Sequence, residues 1–286
     1  MSKRIIAVGD VHGEYEKFCN ILFDAKLVDS SINWIGAETI LIQTGDMIDR
    51  GPRSIESVGL IRALQEQAQK SGGMVVRLLG NHELELLKGR CLDPNLPRPN
   101  ELAEVIRKEV IQSKVCAAWT DGSRLFSHAG VRTKLRQWLE GESTSQSGRE
   151  FTAERLKRIS GAANDALIKA VSNGRYEDPL FFVDKSRGGR DEYGGIFWGD
   201  ANDLVGSEQA FDMPQVFGHT FTGKPEFEVA YGGNLINIDC GMYRGYGGNC
   251  GYLEITPDGQ LIEHTKAVNS KQFKSRVLKG YAGFRK

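Results

Sequence analysis

The first third of the chain alternates short apolar runs with longer segments in which apolar residues recur every three or four positions. The short runs predict buried strands at residues 4–8, 39–43 and 74–79. The longer segments predict helices over residues 14–25 and 54–69, and a third that begins near His82. Strands that alternate with helices favour parallel pairing, and ligands of such sheets bind at the carboxyl ends of the strands.

The pattern changes in the middle and last thirds of the chain. Residues 132–190 are charged and mostly helical in spacing, which predicts a helical insertion that caps the site. Strand character returns in short apolar runs separated by Gly-Gly and Pro-Asp-Gly turns, which predict hairpins; these runs lie at 215–217, 227–231, 235–238, 252–255 and 261–265. Since neither a repeat nor a linker interrupts the chain, we expect a single domain over residues 1–286.

Composition narrows the classes of protein. The formal net charge is zero, so bulk electrostatics does not predict a binder of nucleic acid or of membrane surfaces. The five cysteines are scattered and odd in number, which favours reduced thiols over a disulfide framework. No signal segment precedes the first strand and no run of about 18 apolar residues occurs, so we expect a cytoplasmic protein. The basic segment 266–286 predicts a solvated, partly disordered tail.

The polar residues that follow the three predicted strands suit metal binding. Asp10 and His12 follow the first strand, Asp46 follows the second and Asn81 follows the third. Carboxylate and imidazole together suit zinc, iron or manganese, and a shared carboxylate commonly holds two metals about 3.5–4 Å apart. Each motif taken alone also fits a helix cap or a turn, but three equivalent strand ends in series favour one common site.

The histidines strengthen this interpretation. The chain has five, and four of them, His12, His82, His128 and His219, sit in loops that follow apolar runs. His82 comes directly after Asn81 and must point elsewhere, which suits a proton donor. His264 lies inside a late alternating strand, where we expect a surface or packing role.

Taken together, the motifs GDVHG (9–13), GDMIDRG (45–51) and GNHE (80–83) resemble those of the phosphoprotein phosphatase family of metallophosphoesterases. The resemblance extends through the His-Ala-Gly and Gly-His-Thr blocks, over about residues 4–255. The segment 235–242 is similar to a bacterial-type branch, the Shewanella-like phosphatases. The family fold implies an α/β protein of four layers: a central β-sandwich flanked by helices, with two metals at the sheet edge.

The resemblance also implies a role for each motif residue. Two divalent metal ions, manganese first and iron or zinc as alternatives, would be held by two ligand sets that share Asp46. The first set would be Asp10, His12 and Asp46; the second would be Asp46, Asn81, His128 and His219. His82 would be the general acid oriented by Asp49, and Arg50 would grip the phosphoryl oxygens attacked by a hydroxide that bridges the metals.

One position departs from the family pattern. Eukaryotic members carry a second phosphate-binding arginine between the two late histidines, and no arginine here aligns clearly with it. Arg187, Arg190 and Arg244 are the candidates for this substrate-binding role, beside Arg50 and Asn81. The glycine-rich segment 245–250 nearly spells a nucleotide-binding motif, but no helix follows it, so a loop over the cleft is expected instead.

Three functions fit these observations. The first is a phosphomonoesterase that acts on phosphorylated serine, threonine or tyrosine in proteins, or on a small phosphoester. The second is a hydrolase of dinucleoside polyphosphates, in which we would expect GNHD and no Asp before the arginine of the second motif. Glu83 and Asp49 favour the phosphatase. The third is a non-catalytic phosphate-binding scaffold, which the retention of His82 and of every expected ligand argues against.

Overall fold

A computed structural model describes residues 3–141, 151–206 and 213–278. Within these ranges the strands, in chain order, are β1 Ile5–Val8, β2 Ile40–Gln43, β3 Met74–Leu78, β4 Val115–Cys116, β5 Ala118–Thr120, β6 Leu125–Ser127, β7 Gln215–Phe217, β8 Glu228–Ala230, β9 Leu235–Asn237, β10 Cys250–Ile255, β11 Leu261–Lys266 and β12 Lys274–Val277. The α-helices are α1 Tyr15–Asp24, α2 Ser54–Lys70, α3 Asn81–Leu87, α4 Pro99–Ile111, α5 Thr133–Glu140, α6 Ala153–Asn173 and α7 Ala201–Gly206.

The strands form two sheets. A seven-stranded sheet has the order β12-β11-β10-β1-β2-β3-β4, and a five-stranded sheet has the order β5-β6-β7-β9-β8. In the first sheet β1, β2, β3 and β4 are parallel, with Ile5 opposite Ile40, while β10, β11 and β12 run antiparallel to their neighbours. In the second sheet β6, β7 and β9 are parallel. Each sheet therefore brings the carboxyl ends of at least three strands to one edge.

The two sheets pack face to face. Alternate residues of a strand point to opposite sides of its sheet, so one set of apolar side chains from each sheet lies between the two sheets. Ala7 of β1 and Ile42 of β2 meet Phe126 of β6 and Val216 of β7 in a common apolar core, and all four are fully buried. The other faces are covered by helices. Phe18 and the rest of the buried face of α1 pack with α2 against the first sheet, while α6 and α7 cover the second.

This arrangement confirms the predicted four-layer α/β fold with a central β-sandwich. The predicted strands and helices of the first third begin or end within two residues of the observed ones. The hairpin between β10 and β11 also forms where the Pro-Asp-Gly turn placed it. Among the described residues, no helix is both long enough and apolar enough to cross a membrane.

The predicted helical insertion over residues 132–190 contains α5 and α6, and residues 142–150 lie outside the described ranges. The helix α6 packs against β5 and α4 as part of the outer layer, and a role of this insertion as a cap stays a prediction. The prediction of partial disorder over residues 266–286 is wrong for residues 274–277, although their side chains are exposed. Residues 274–277 form β12, which pairs with β11, because exposed basic side chains suit an edge strand; residues 279–286 lie outside the description.

Candidate metal centre

Loops from both sheets meet at the edge where the parallel strands end. The first sheet supplies Asp10 and His12 after β1, the segment 45–50 after β2, and Asn81 and His82 after β3. The second sheet supplies His128 after β6 and His219 after β7. All of these residues except Arg50 and His219 are buried, so polar side chains that water would normally solvate are held against one another.

Backbone contacts lock the loops together. The N–H groups of Val11 and His12 both donate to the carbonyl of Asp46, at 3.0 and 2.8 Å. Glycines allow the close approach: a Cβ at Gly80 would lie 2.1 Å from Oδ1 of Asp46, and one at Gly218 would lie 2.5 Å from Oδ1 of Asp10. The family motifs thus carry glycine where a side chain would collide with a carboxylate.

Five of the site residues have positive φ angles, namely His12 (47°), Asp46 (54°), Asp49 (68°), Arg50 (67°) and His219 (67°). Residues other than glycine rarely adopt this conformation, and each instance costs about 1–3 kcal/mol. Hydrogen bonds hold the strained turn in place, since Ser54 accepts the N–H of Asp49 and Asp93 accepts that of Arg50. The strain is concentrated where the side chains must converge.

Four atoms that could ligate a metal lie together, with Nε2 of His128 among them. This nitrogen lies 2.9 Å from Oδ1 of Asn81, 3.1 Å from Nδ1 of His219 and 3.6 Å from Oδ1 of Asp46. Because Nδ1 of His128 donates to the carbonyl of Thr44 at 2.8 Å, Nε2 presents a lone pair. Convergent lone pairs at these separations fit a cation, since ligands at about 2.0–2.2 Å from a metal lie roughly 3–4 Å apart.

A second group shares Asp46. Nε2 of His12 lies 3.5 Å from Oδ2 of Asp46 and 3.9 Å from Oδ2 of Asp10, while Nδ1 of His12 donates to the carbonyl of Ile48 at 2.9 Å. The described residues therefore contain two metal-sized groups, one with His12, Asp46 and His82 and one with Asp46, His128 and His219. Nη1 of Arg50 lies 2.8 Å from Nε2 of His12, so this guanidinium must turn away for His12 to ligate a metal.

Burial sets the charge of the imidazoles. It lowers the pKa of His12 to about 3, and it lowers the pKa of His128 and His219 as well. Neutral imidazole is the form that ligates a metal. Burial alone would also lower the pKa of His82, but the carboxylates of Asp46 and Asp49 outweigh it and raise that pKa above its ordinary value. His82 therefore differs from the other three in favouring its protonated form.

The pKa values of the buried carboxyl groups also shift in opposite directions. Burial would raise the pKa of Asp46, but His128, His82 and His12 outweigh burial and lower it. Burial, with the neighbouring charges of Asp239 and Asp46, raises the pKa of Asp10. Burial also raises the pKa of Asp239 to about 6. An excess of buried negative charge at this edge favours a bound cation.

His82 and Asp49 form a hydrogen-bonded pair beside the two groups. Nδ1 of His82 lies 2.7 Å from Oδ2 of Asp49, and the main-chain N–H of His82 donates to Oδ1 of Asp46 at 3.0 Å. The first contact fixes the ring and leaves its Nε2 edge toward the site, 3.9 Å from Oδ2 of Asp46. An imidazole oriented in this way can transfer a proton to a bound group.

A cleft of about 480 Å³ opens onto these residues. Arg187 lines it together with Arg50, Asn81, His82 and His219. Nε of Arg187 is paired with Oδ2 of Asp200 at 2.9 Å, and its Nη2 donates to Oγ1 of Thr220 at 2.6 Å. One ion pair and one hydrogen bond thereby hold the guanidinium, and N–H donors on Nη1 and Nη2 remain for a ligand.

The other two candidate arginines lie elsewhere. Arg190 and Arg244 are exposed, and neither lines the cleft. The structure brings together the remaining predicted residues: Asp10, His12, Asp46, Asp49, Arg50, Asn81, His82, His128, Arg187 and His219.

Sequence reasoning missed two buried acids at the site. The Glu83 carboxylate accepts the N–H groups of Asp46, Met47 and Ile48 at 3.0, 2.8 and 3.2 Å, and that of Gly80 at 3.0 Å. Asp239, at the end of the β9 segment, is buried and adds its charge to that of Asp10. The family motif marked Glu83, but only the fold shows that it fastens the second loop to the third.

Comparison with known proteins agrees with this geometry. The sequence model of the family described as calcineurin-like phosphoesterase matches residues 3–222. The chain belongs to this family. Its metallophosphoesterase fold also appears in a solved structure of a cold-active protein-tyrosine phosphatase of a psychrophilic Shewanella species, which is 21% identical, with a TM-score of 0.69 over 98% of this chain and 81% of that one.

Sequence relatives within the calcineurin-like phosphoesterase family carry different names. Shewanella-like protein phosphatase 2 of Arabidopsis thaliana is 36% identical over 87 residues, which is 30% of this chain and 22% of the relative. A symmetrical bis(5'-nucleosyl)-tetraphosphatase of Methylococcus capsulatus is 30% identical over 135 residues, which is 44% of this chain and 43% of the relative. The chain thus spans less than half the length of either relative.

Proposed function

We propose that this family member is a metal-dependent phosphomonoesterase that removes phosphate from serine, threonine or tyrosine residues of proteins. The observation that carries the proposal is the convergence of His128, His219, Asn81 and Asp46 beside the His82–Asp49 pair. Metal ligands and a proton donor are then adjacent, which is what hydrolysis of a phosphate ester requires.

The ligand assignment is the one that the family resemblance implies; beside His12 and Asp46 it takes Asp10 rather than His82, because His82 is paired with Asp49. Asp10, His12 and Asp46 would hold one divalent ion, and Asp46, Asn81, His128 and His219 would hold the other. Manganese is the first choice, with iron or zinc as alternatives, because mixed carboxylate and imidazole sets accept all three. When bound, such ions polarise phosphoryl oxygens and make water nucleophilic near neutral pH.

The two cleft arginines would orient the phosphoryl group. Arg50 lies at the mouth of the first ligand group and Arg187 lies beside His219, so the two guanidinium groups can bind different phosphoryl oxygens. Planar guanidinium groups match pairs of phosphate oxygens, which fixes the orientation of the ester for attack. Arg187 thereby fills the role that the sequence left open.

His82 would donate a proton to the leaving oxygen. Its ring is held by Asp49, and the carboxylates of Asp46 and Asp49 raise its pKa, which favours the protonated form that a general acid needs. Protonation of the leaving group by a positioned acid contributes about 10²–10⁴ in rate. This chemistry is independent of whether the alcohol belongs to a protein or to a small molecule.

Hydrolysis of dinucleoside polyphosphates is the second candidate. It is supported by the similarity to a bis(5'-nucleosyl)-tetraphosphatase over 44% of the chain. Glu83 in place of Asp, and Asp49 before Arg50, favour the monoesterase.

A panel of substrates distinguishes the candidates. The pure protein with added Mn²⁺ would be assayed against p-nitrophenyl phosphate, phosphoserine, phosphothreonine and phosphotyrosine peptides, and diadenosine tetraphosphate. We expect the highest kcat/KM on a phosphopeptide. A preference for the dinucleotide would favour the second candidate, and no turnover of any substrate by the metal-loaded protein would refute both and favour a phosphate-binding scaffold.

A further inference from the structure

The three imidazoles proposed as metal ligands are not held in the same way. In His12 and His128 the ring nitrogen Nδ1 donates to a main-chain carbonyl, that of Ile48 at 2.9 Å and that of Thr44 at 2.8 Å. Such a contact fixes the plane of a ligand ring. In His219 it is Nδ1 that faces the ligand group, 3.1 Å from Nε2 of His128. Its other nitrogen, Nε2, is buried and has no hydrogen-bond partner among the residues that the structure describes.

The indole ring of Trp198 lies against the His219 ring. The two centroids are 5.8 Å apart and the two planes are 84° apart, which is an edge-to-face contact. Nε1 of Trp198 is buried and, like Nε2 of His219, has no hydrogen-bond partner within the described part of the chain. The contact between these two side chains is therefore one of ring packing and not a hydrogen bond.

The backbone on both sides of Trp198 is fastened to the loops that carry the two late histidines. The N–H of Ala129, directly after the first of these histidines, donates to the carbonyl of Ile196 at 2.8 Å. The N–H of Ala201 donates to Oγ1 of Thr220, directly after the second, at 3.1 Å. Trp198 lies between these two attachments, so its ring is held in a fixed place relative to both histidines.

We infer that Trp198 is the positioning residue of His219, and that its ring packing takes the part that a hydrogen bond to a carbonyl takes for His12 and His128. This inference rests on the proposed function, because it takes His219 as a metal ligand. A ring that can turn about its Cβ–Cγ bond directs Nδ1 at the ion for only part of the time. Loss of the Trp198 contact should therefore weaken the ion held by His128 and His219 and spare the ion held by His12.

The indole N–H itself is not the group that acts. Trp198 borders the cleft, but its Nε1 is buried, so a substrate in the cleft cannot reach this donor without a rearrangement of the ring. An aromatic ring without an N–H should then serve as well as the indole, because edge-to-face packing needs only the ring. This separates the positioning role from any role of the indole as a hydrogen-bond donor.

The test is Mn²⁺ binding to the full chain, measured by isothermal titration calorimetry for the wild type, Trp198→Leu and Trp198→Phe. Leucine offers no ring to His219, whereas phenylalanine keeps one. Trp138→Leu is the matched control, since Trp138 is exposed on α5 and does not line the cleft. Thermal unfolding without metal would confirm that each variant is folded.

We expect Trp198→Leu to weaken one of the two Mn²⁺ ions by about tenfold to a hundredfold, the loss typical of a supporting residue around a metal, and to leave the other ion unchanged. Trp198→Phe should retain most of the affinity, and Trp138→Leu should retain all of it. In a His219→Ala background, Trp198→Leu should cause no further loss, because residues that act through one another are not additive.

Unchanged binding of both ions by folded Trp198→Leu would overturn this inference alone. An equal loss in Trp198→Phe and Trp198→Leu would also overturn it and assign the effect to the indole N–H. So would an equal weakening of both ions, which would mark a general loosening of the site. If the wild type binds no Mn²⁺, the proposed function itself fails.

Discussion

Nδ1 of His82 lies 2.7 Å from Oδ2 of Asp49, and both side chains are almost fully buried beside Asp46. We expect His82→Ala to lower kcat on a phosphopeptide by about 10²–10⁴, because the leaving oxygen would depart without a proton. Steady-state kinetics at saturating Mn²⁺ measures this. Asp49→Asn should show a smaller loss, and undiminished kcat in His82→Ala would contradict the role of the acid.

Removal of a histidine from the ligand groups should reduce the number of metals bound. His128→Ala deletes the nitrogen that contacts Asn81 and His219, so we expect one Mn²⁺ per chain by isothermal titration calorimetry where the wild type binds two. His264→Ala is the matched control, since His264 pairs with Glu254 far from the cleft. Two tightly bound ions in His128→Ala would argue against the assignment of this histidine.

Glu83 should govern metal affinity without touching a metal. Its carboxylate accepts four backbone N–H groups, three of them from the loop that carries Asp46. Glu83→Gln replaces acceptor capacity with a donor, so we expect a loss of about 1–3 kcal/mol in the free energy of unfolding, together with a lower Mn²⁺ affinity. Glu85→Gln, on the same helix and paired with Lys88, is the control that should spare metal affinity. Equal effects of the two variants on metal binding would refute this account.

Arg187 should matter for substrate binding where Arg190 and Arg244 do not. We expect Arg187→Ala to lower kcat/KM for a phosphopeptide by about tenfold to a hundredfold, the equivalent of one lost charge-assisted contact of roughly 1.5–3 kcal/mol. Arg190→Ala and Arg244→Ala are controls, because both side chains are exposed outside the cleft. A larger loss in either control would move the second phosphate contact to that residue.

The loss of folding stability at acid pH should depend on Glu109. Its carboxylate pairs with Arg77 at 2.9 Å and Arg62 at 2.6 Å; burial alone would raise its pKa, but the two arginines outweigh burial and lower it. A lowered carboxyl pKa stabilises the fold above the ordinary value of 4.5, and this stabilisation is lost as the pH falls through the lower folded value.

We therefore expect Glu109→Gln to be less stable than the wild type at pH 7 by about 1–3 kcal/mol, and the difference to shrink below pH 4.5. Denaturant unfolding at several pH values measures it. Glu104→Gln on the same helix is the control, since Glu104 forms only exposed pairs with Arg107 and Lys108, which contribute little. A difference that persisted unchanged into acid would contradict the sign of the pKa shift.

Much of the site could be predicted because several of its residues directly follow the predicted strands. Asp10, Asp46 and Asn81 each follow a buried strand by two or three residues, so the pattern of strands placed them at one edge. The sequence also placed His128 and His219 after apolar runs, but joining them to Asp46 needed the family resemblance, since nothing in the spacing shows that β6 and β7 face the first sheet. The fold joins them to Asp46 through packing between sheets, which no local pattern encodes.

Contacts between distant segments remained beyond sequence reasoning. Arg187 could not be chosen over Arg190 until the structure showed Asp200 and Thr220 holding its guanidinium. Phe221, two residues after His219, stacks on Tyr246, which lies in a segment that the sequence marks only as glycine-rich. The strand β12 escaped notice because its four residues are exposed, and exposed edge strands lack the alternating pattern that marks a half-buried one.

We propose that Asp46, which belongs to both candidate ligand groups, assembles a metal centre that hydrolyses phosphate monoesters. The most direct test is phosphate release from a phosphopeptide as Mn²⁺ is titrated into chelator-treated wild type and Asp46→Asn. We predict no turnover before metal is added, saturable turnover as the wild type is loaded, and a loss of at least about a thousandfold in Asp46→Asn, well beyond the 10–100-fold typical of a supporting residue around a metal. Turnover by the wild type without metal, or wild-type turnover by Asp46→Asn, would contradict the claim.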